Sequence, residues 1–338
     1  KLRIRQRASM LISDGKIAGI YENIPESLKN VEVHDYGDAI IIPGLTDLHL
    51  HAPQFSFRGL GMDMELLDWL NTYTFPEESK YKDIEYAKKA YKSFVESLKK
   101  SFTTRAVIFA TLHKEATLLL MDLLEASGLR CFVGKVNMDR NSPKNLIEST
   151  EESLDQTVEW LNICKARYKN TKPIITPRFI PSCTDELMFG LGEIRGEEYG
   201  LQSHLSENPA EIRWVSELCP DSKGYLDAYY KRGSLKKSRT GTIMAHCVYS
   251  DEAEMELLKE GDVYVAHCPQ SNTALASGIA PVRKFLDKGI KVGLGSDVAA
   301  GYSLNILNIA VEAIGVSKLY WRYVDNNSKP VELCEAFF

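Results

Sequence analysis

Two histidines stand two positions apart where an apolar run ends. The segment "GLTDLHLH" (44–51) contains His49 and His51, and Pro53 then interrupts any continuing strand. Because side chains two apart on a strand point to the same face, both imidazoles can lie over one site. Imidazole nitrogens are common ligands of Zn²⁺ and Fe²⁺. The pair therefore predicts a metal site at the end of this strand.

Three further runs end in a side chain that can bind a metal. His204 lies in "SHLSEN", His246 in "MAHC" and Asp297 in "GLGSD". Three imidazole-bearing strands and one carboxylate form a nitrogen-and-oxygen set suited to one Zn²⁺ ion, with Fe²⁺ as the alternative. A second metal would require a bridging carboxylate or a modified lysine after the fourth run, which ends in "TPRFIPS" without a lysine. One metal per chain is therefore favoured.

Glu207 follows His204 by three residues in "SHLSENPAE". A carboxylate there could take a proton from an activated water and deliver it to a substrate. It could equally cap the helix that begins near Pro209, where an acidic side chain is favoured. The residues alone leave both interpretations open. His267 ends the seventh run, and we expect it to have a structural role because the metal site is complete without it.

Eight β-rich runs alternate with amphipathic helical stretches. The runs are 39–50, 103–111, 130–136, 173–180, 200–206, 241–247, 263–268 and 291–297. This alternation predicts an α/β fold of the (β/α)8 TIM-barrel type, in which functional groups lie at the carboxyl ends of the strands. A doubly wound open sheet is the alternative. It is disfavoured because no G-x-G-x-x-G or P-loop motif follows the first strand.

Outside the barrel, the two ends of the sequence predict a small, incomplete β-sandwich element. Residues 1–38 contain "MLISDGKIAGIYEN", in which a D-G turn joins two short strands. We expect residues 39–325 to form the barrel. Residues 326–338 are expected to begin a C-terminal segment that is truncated.

Composition excludes several classes of function. The chain has 338 residues and a formal net charge of −5, from 41 basic and 46 acidic side chains. This balance gives no electrostatic reason to expect a nucleic acid or an anionic membrane as partner. There is no apolar run of about 18 residues, so no membrane span is expected. Seven scattered cysteines without a C-x-x-C pair indicate a cytoplasmic protein with reduced thiols.

The set "PGLTDLHLHAPQ", "SHLSEN", "MAHC" and "GLGSD" resembles the amidohydrolase superfamily. Within it, "HAPQFSFRG", "LLDWLNTYTFPEE", "VGKVNMDRNSP", "TPRFIPSCTDELM" and "VSKLYWR" are similar to guanine deaminases. The resemblance runs through nearly all of residues 39–325. It implies hydrolytic deamination of the free base guanine to xanthine and ammonia by a zinc-containing homodimer.

The resemblance also implies a role for each site residue. The metal ligands would be His49, His51, His204, His246 and Asp297. Glu207 would be the proton shuttle, Asp297 would accept a second proton, and His246 would hydrogen-bond the attacking oxygen. Gln54, Arg178 and Phe179 would bind the purine.

Two other functions remain open at this point. The metal set alone would equally serve a related deaminase or hydrolase acting on cytosine, an adenosine-like compound, a triazine or a pterin. A metal-binding barrel without catalysis is the least favoured alternative, because such a protein has no chemical need for Glu207 and Asp297.

Overall fold

The computed structural model describes residues 3–337, which divide into two compact units, one ending at Pro43 and the other beginning at Gly44. In the first unit, β1 (Ser9–Ser13) pairs with β2 (Lys16–Tyr21) in an antiparallel hairpin. Asp14 and Gly15 form its turn with φ of 51° and 70°. Tight hairpin turns of this kind favour Asp-Gly, so the predicted turn is confirmed. Membership of this hairpin in a β-sandwich, like the boundaries 1–38, 39–325 and 326–338, stays a prediction.

Each of the eight predicted runs contains strand structure in the second unit. The strands are β3 (Leu45–His51), β4 (Thr103–Phe109), β5 (Arg130–Gly134), β6 (Val136–Asn137), β7 (Lys172–Pro173), β8 (Thr176–Pro177), β9 (Leu201–Leu205), β10 (Thr242–His246), β11 (Val263–His267) and β12 (Lys291–Leu294). The fourth run is divided into β7, which pairs with β5, and β8, which pairs with β6. The first strand begins at Leu45, later than expected, just after Pro43.

The strands of the second unit are parallel and form a closed ring. The pairing orders are β3-β4-β5-β7, β6-β8 and β12-β11-β10-β9. Ile175 joins the two halves: its N–H donates to the Gly200 carbonyl, 3.0 Å away, and its carbonyl accepts from Gln202, at 2.9 Å. On the other side, the Asp297 N–H donates to the His49 carbonyl at 2.8 Å. These bonds close the sheet, as in a (β/α)8 barrel, and the open-sheet alternative is wrong.

Helices lie in the connections between the strands and after the last strand. They are α1 (Leu66–Trp69), α2 (Phe75–Glu78), α3 (Ile84–Lys99), α4 (Lys114–Ser127), α5 (Thr150–Arg167), α6 (Asp185–Arg195), α7 (Pro209–Leu218), α8 (Tyr225–Lys231), α9 (Glu252–Glu260), α10 (Pro269–Ala274), α11 (Val282–Asp287), α12 (Ile306–Tyr323) and α13 (Leu333–Phe337). A π-helical turn over Leu70–Thr74 connects α1 to α2. Within residues 3–337, no helix has both the length and the apolar character needed to cross a membrane.

Residue choice explains where the helices begin and which faces they bury. The α3 helix begins after Asp83, whose carboxylate accepts from the backbone N–H groups of Glu85 and Tyr86. Its buried positions, which follow helical spacing, are Ala87, Tyr91, Phe94, Val95 and Leu98. The apolar core thus formed between helices and strands holds the strand ends in fixed positions.

Candidate active site and metal centre

Five buried side chains meet at the carboxyl ends of four strands, and we call them the ligand cluster: His49, His51, His204, His246 and Asp297. β3 supplies the first two, β9 and β10 supply one histidine each, and Asp297 lies just beyond β12. Parallel strands around a ring necessarily bring their carboxyl ends to one mouth. The structure therefore brings together all five residues that the sequence predicts as ligands.

The donor atoms of the ligand cluster converge. His49, His204 and His246 form one group, and His49, His51 and Asp297 form a second; within each group the donor atoms lie within 4.8 Å of one another. The Nε2 atoms of His51 and His204 are 3.1 Å apart. His49 Nε2 lies 3.2 Å from Asp297 Oδ1. Nitrogen and oxygen donors aimed at one small volume are the arrangement that a transition-metal ion requires.

Hydrogen bonds on the far side of two rings set their tautomers for metal binding. His204 Nδ1 donates to the Arg178 carbonyl at 2.7 Å, so Nε2 is free to act as a ligand. His246 Nδ1 donates to the Asn272 Oδ1 at 2.9 Å. His246 Nε2 and His49 Nε2 are buried without a hydrogen-bond partner among the described residues. Because buried polar atoms are normally satisfied, these residues fit a bound metal ion.

The electrostatics of the ligand cluster favour the forms that bind metals. Burial, together with the neighbouring His49, holds the pKa values of His51 and His204 well below the usual range, so both rings are neutral. Burial also lowers the pKa of His49. For Asp297, burial disfavours the charged form, but the adjacent His49 and His246 outweigh it and lower its pKa. Neutral imidazoles and an ionised carboxylate are the states that coordinate a cation.

Glu207 lies beside the ligand cluster between β9 and α7. Its Oε2 is 3.4 Å from His246 Nε2, and Ser277 donates to its Oε1 at 3.4 Å. Burial and then the nearby Asp297 raise the pKa of Glu207 well above its usual range. The helix cap is instead Asn208, whose side chain accepts from the Ala210 N–H. The interpretation of Glu207 as a simple helix cap is therefore wrong.

The three residues predicted to bind a purine line the same cleft as four residues of the ligand cluster, His51, His204, His246 and Asp297. Gln54 lies in a 3-10 turn directly after β3, and Arg178 and Phe179 directly follow β8. The empty space within this cleft, counted together with its opening to solvent, is about 390 Å³. The cleft is lined by His51, Gln54, Leu66, Trp69, Leu70, Arg178, Phe179, His204, Glu207, His246, Leu275, Asp297 and Ala300.

A glutamate that sequence reasoning missed connects two of these residues. Glu78 is 2% exposed and accepts from Gln54 Nε2 through one carboxylate oxygen, at 2.8 Å. Its other oxygen accepts from Arg178 Nη1 at 2.7 Å. We call Gln54, Glu78 and Arg178 the recognition wall. Glu78 follows a π-helical turn in "TYTFPEE", a segment without the regular periodicity that would have indicated an inward-facing side chain.

His267 stays apart from the ligand cluster. It is buried at the end of β11, and both of its ring nitrogens lack a hydrogen-bond partner among the described residues. Burial and then the neighbouring His246 lower its pKa to about 3, which keeps the ring neutral. It belongs to neither of the two candidate ligand groups.

Known proteins match this chain along most of its length. The model of the amidohydrolase family matches residues 40–335. The guanine deaminase of Dictyostelium discoideum is 43% identical over 90% of this chain, and that of Homo sapiens is 39% identical over 87%. The chain spans 68% of the length of the first relative and 64% of the second.

A solved structure shows the same fold in a related protein. The crystal structure of guanine deaminase from C. acetobutylicum, with guanine bound in its active site, has a TM-score of 0.94 and 44% sequence identity. The match covers 97% of this chain and 78% of that one. The resemblance to guanine deaminases predicted from the sequence motifs is confirmed. On these matches, the chain belongs to the amidohydrolase family.

Proposed function

We propose that this chain catalyses the hydrolytic deamination of guanine to xanthine and ammonia. The observation that carries the proposal is the composition of one cleft, which combines four of the five residues of the ligand cluster with Glu207 and two residues of the recognition wall. A metal-activated water, a proton carrier and a polar wall are the three parts that such a hydrolysis needs. The relatives named guanine deaminase support guanine as the substrate.

The ligand cluster would hold one Zn²⁺ ion per chain, with Fe²⁺ as the alternative. Its donor set of imidazole nitrogens and one carboxylate suits both ions. When bound, the metal supplies Lewis-acid activation of a water molecule, which lowers the pKa of that water toward about 7. A strong nucleophile would thus be available at neutral pH.

Glu207 and Asp297 divide the proton transfers between them. Oxygen from water adds to C2 of guanine, and the bond from C2 to its amino nitrogen breaks. Glu207 takes one proton of the water and delivers it to a ring nitrogen, so that negative charge does not accumulate on the base. Asp297 takes the second proton and passes it to the amino group, which leaves as ammonia. Both carboxylates are buried beside His246, which keeps bulk water away from these transfers.

His246 has one ring nitrogen available for this reaction. Its Nδ1 proton is engaged by Asn272, so Nε2 faces Glu207 and Asp297. One nitrogen lone pair cannot both bind a metal and carry a proton. We assign ligation to His246 Nε2, and the hydrogen bond to the attacking oxygen then falls to Glu207 or Asp297.

The recognition wall and Phe179 would hold the purine. Gln54 offers both a donor and an acceptor, and Arg178 offers only donors, which suits an edge with carbonyl and ring N–H groups. Phe179 is 7% exposed, and its ring meets Trp214 edge-on at 6.3 Å, which fixes an aromatic face at the cleft. We also propose a cytoplasmic homodimer, in keeping with the family resemblance. The free state of all seven cysteines supports a reducing compartment.

Ammonia release from a panel of bases tests the proposal. The metal-loaded protein is incubated with guanine, guanosine, adenine, cytosine and a pterin, each with and without a chelator. We expect release from guanine alone, abolished by the chelator and restored by added Zn²⁺. Release from a different base would overturn the substrate assignment while leaving the metal chemistry intact. Release from guanine that withstands complete metal removal would overturn the metal's role.

A further inference from the structure

The buried carboxylate of Glu78 dictates which way the Gln54 side-chain amide faces. A carboxylate has acceptors only, so the group that approaches it must be the amide nitrogen. That nitrogen lies 2.8 Å from Glu78 Oε1. The amide oxygen lies on the side of the Ala299 N–H, at 3.5 Å, which is also compatible only with an acceptor. The two orientations of the Gln54 amide, which exchange its oxygen and its nitrogen, have nearly the same shape. These two contacts allow only one of them.

Glu78 is itself fixed from the other side. Its second oxygen accepts from Arg178 Nη1 at 2.7 Å, and both side chains of this ion pair are at most 4% exposed. The Arg178 guanidinium also lies 5.3 Å from the centre of the Phe75 ring. A buried carboxylate with both oxygens engaged cannot rotate without leaving a charge unpaired. The orientation of Gln54 is thus locked through Glu78 to Arg178.

Gln54 and Arg178 line the cleft, whereas Glu78 lies behind them and is absent from the cleft lining. A fixed amide offers its oxygen at one position and its remaining N–H at another. The lactam edge of a 6-oxopurine presents a ring N–H beside a carbonyl, and it matches one arrangement of the amide oxygen and the amide N–H. The amidine edge of a 6-aminopurine presents a ring nitrogen beside an amino group, and it matches the opposite arrangement.

We propose that Glu78 is a positioning residue that sets the polarity of the recognition wall, so that the site accepts 6-oxopurines and rejects 6-aminopurines. This inference deepens the proposed function and rests on it for the location of the purine. Glu78 acts through Gln54 and has no contact with the substrate. Its removal should therefore change which base is preferred, beyond any general loss of binding.

The Glu78→Gln variant tests this proposal directly. It changes the group at position 78 that faces Gln54 from an acceptor to a donor, with little change in side-chain shape. Arg178 has only donors, so a glutamine at position 78 must turn its oxygen toward Arg178. Its nitrogen then faces Gln54, which can accept only by turning its oxygen away from the Ala299 N–H. The single orientation of the Gln54 amide, and with it the fixed polarity of the edge presented to the purine, is then lost.

The test measures binding of hypoxanthine and adenine, which differ at the 6-position and N1. Neither has an amino group at C2, so their binding is measured apart from the proposed deamination. Dissociation constants are determined by calorimetry on metal-loaded protein whose metal content is checked. We expect the unaltered chain to prefer hypoxanthine by at least about tenfold, because mismatched buried donors and acceptors are costly. Glu78→Gln should abolish or invert this preference.

Glu77→Gln is the matched control, because Glu77 is the neighbouring glutamate and bonds to Ser56 and Lys80 away from the cleft lining. It should leave the preference unchanged. If Glu78→Gln keeps the hypoxanthine preference, or if the unaltered chain shows none, the inference is overturned. If Glu78→Gln does not fold, Gln54→Met takes its place: it removes the amide but keeps the Glu78–Arg178 pair. The preference must then collapse, and its survival would be equally decisive against the proposal.

Guanine turnover by the same preparation separates this result from the proposed function. A chain that prefers hypoxanthine through Glu78 but does not release ammonia from guanine would retain the polarity assignment and lose the deaminase assignment. A chain that deaminates guanine with its preference unaffected by Glu78 would do the reverse.

Discussion

The ligand cluster and the recognition wall both contribute residues to one cleft, but they differ in how their polar atoms are satisfied. In the cluster, His49 Nε2 and His246 Nε2 lack hydrogen-bond partners among the described residues. In the wall, both oxygens of Glu78 have a donor within 2.8 Å. Buried polar atoms without partners are costly, whereas a completed network is rigid. The cluster is therefore built to be completed by a bound ion, and the wall is complete before any ligand arrives.

The largest effect on this comparison should come from Glu207, which lies beside the cluster. Glu207→Gln removes the proposed proton carrier but keeps the shape of the side chain and leaves the residues of the ligand cluster unchanged. Loss of a general acid–base group typically lowers turnover by about 10²- to 10⁴-fold, and we expect a fall in kcat of that size. Metal content and the KM for guanine should change little.

Metal analysis and steady-state kinetics on guanine measure this prediction. Near-normal turnover in Glu207→Gln would refute the assignment of Glu207 as the proton shuttle. Loss of both the metal and the activity would instead show that Glu207 is itself a metal ligand and belongs to the ligand cluster.

Replacement of Asn272 should have a smaller effect, on the metal affinity of the ligand cluster and not on the recognition wall. It accepts from His246 Nδ1 at 2.9 Å and so orients the ring toward the centre of the cluster. Loss of such a partner typically weakens metal binding by about 10- to 100-fold, and we expect this for Asn272→Ala. Competition with a chromogenic chelator measures the change. Asn272→Asp keeps an acceptor oxygen and should stay close to the unaltered affinity; equal weakening in both variants would contradict this role.

A third effect, on stability and not on activity or metal affinity, concerns the cluster side of the cleft. Glu211 accepts from Tyr225 and from the Glu207 N–H, and burial followed by the charge of Glu207 raises its pKa from 4.5 to about 7. The folded state holds this proton more tightly than the unfolded state. The contribution to stability is therefore present below pH 4.5 and is lost as the pH rises toward 7, by on the order of 3 kcal/mol at most.

Glu211→Gln should remove this part of the pH dependence. A glutamine can accept from the Glu207 N–H through its oxygen and donate to the Tyr225 hydroxyl through its nitrogen, so the local structure is kept. Urea unfolding between pH 5 and 8 then measures the difference between the two proteins. The free energy of unfolding of the variant should rise relative to that of the unaltered chain as the pH rises. A constant difference across this range would contradict the raised pKa of Glu211.

The ligand cluster was within reach of sequence reasoning, whereas the recognition wall was only partly so. His49 and His51 end a run with strand periodicity, and alternation of strands with helices brings such ends to one mouth. Glu78 and Asn272 come from short helices in the connections between strands. In such connections the path of the chain is set by packing, and the spacing of residues does not indicate which way a side chain faces.

Packing that sequence spacing does not reveal also shapes the fold away from the site. In α6, Gly190 and Gly192 interrupt the apolar pattern. A Cβ on Gly192 would come within 2.9 Å of the Gly233 carbonyl oxygen, so the glycine permits close packing that periodicity does not reveal.

The hydrogen bond from Asp297 to the His49 carbonyl joins the first barrel strand to the last. During synthesis, His49 and His51 emerge early, but Asp297 arrives only after the rest of the ring has been made. Until Asp297 is made, the nascent chain offers at most the four imidazoles of the ligand cluster and lacks its carboxylate. We expect tight metal binding to be the final event of folding, so that metal content reports the fraction of molecules whose ring has closed.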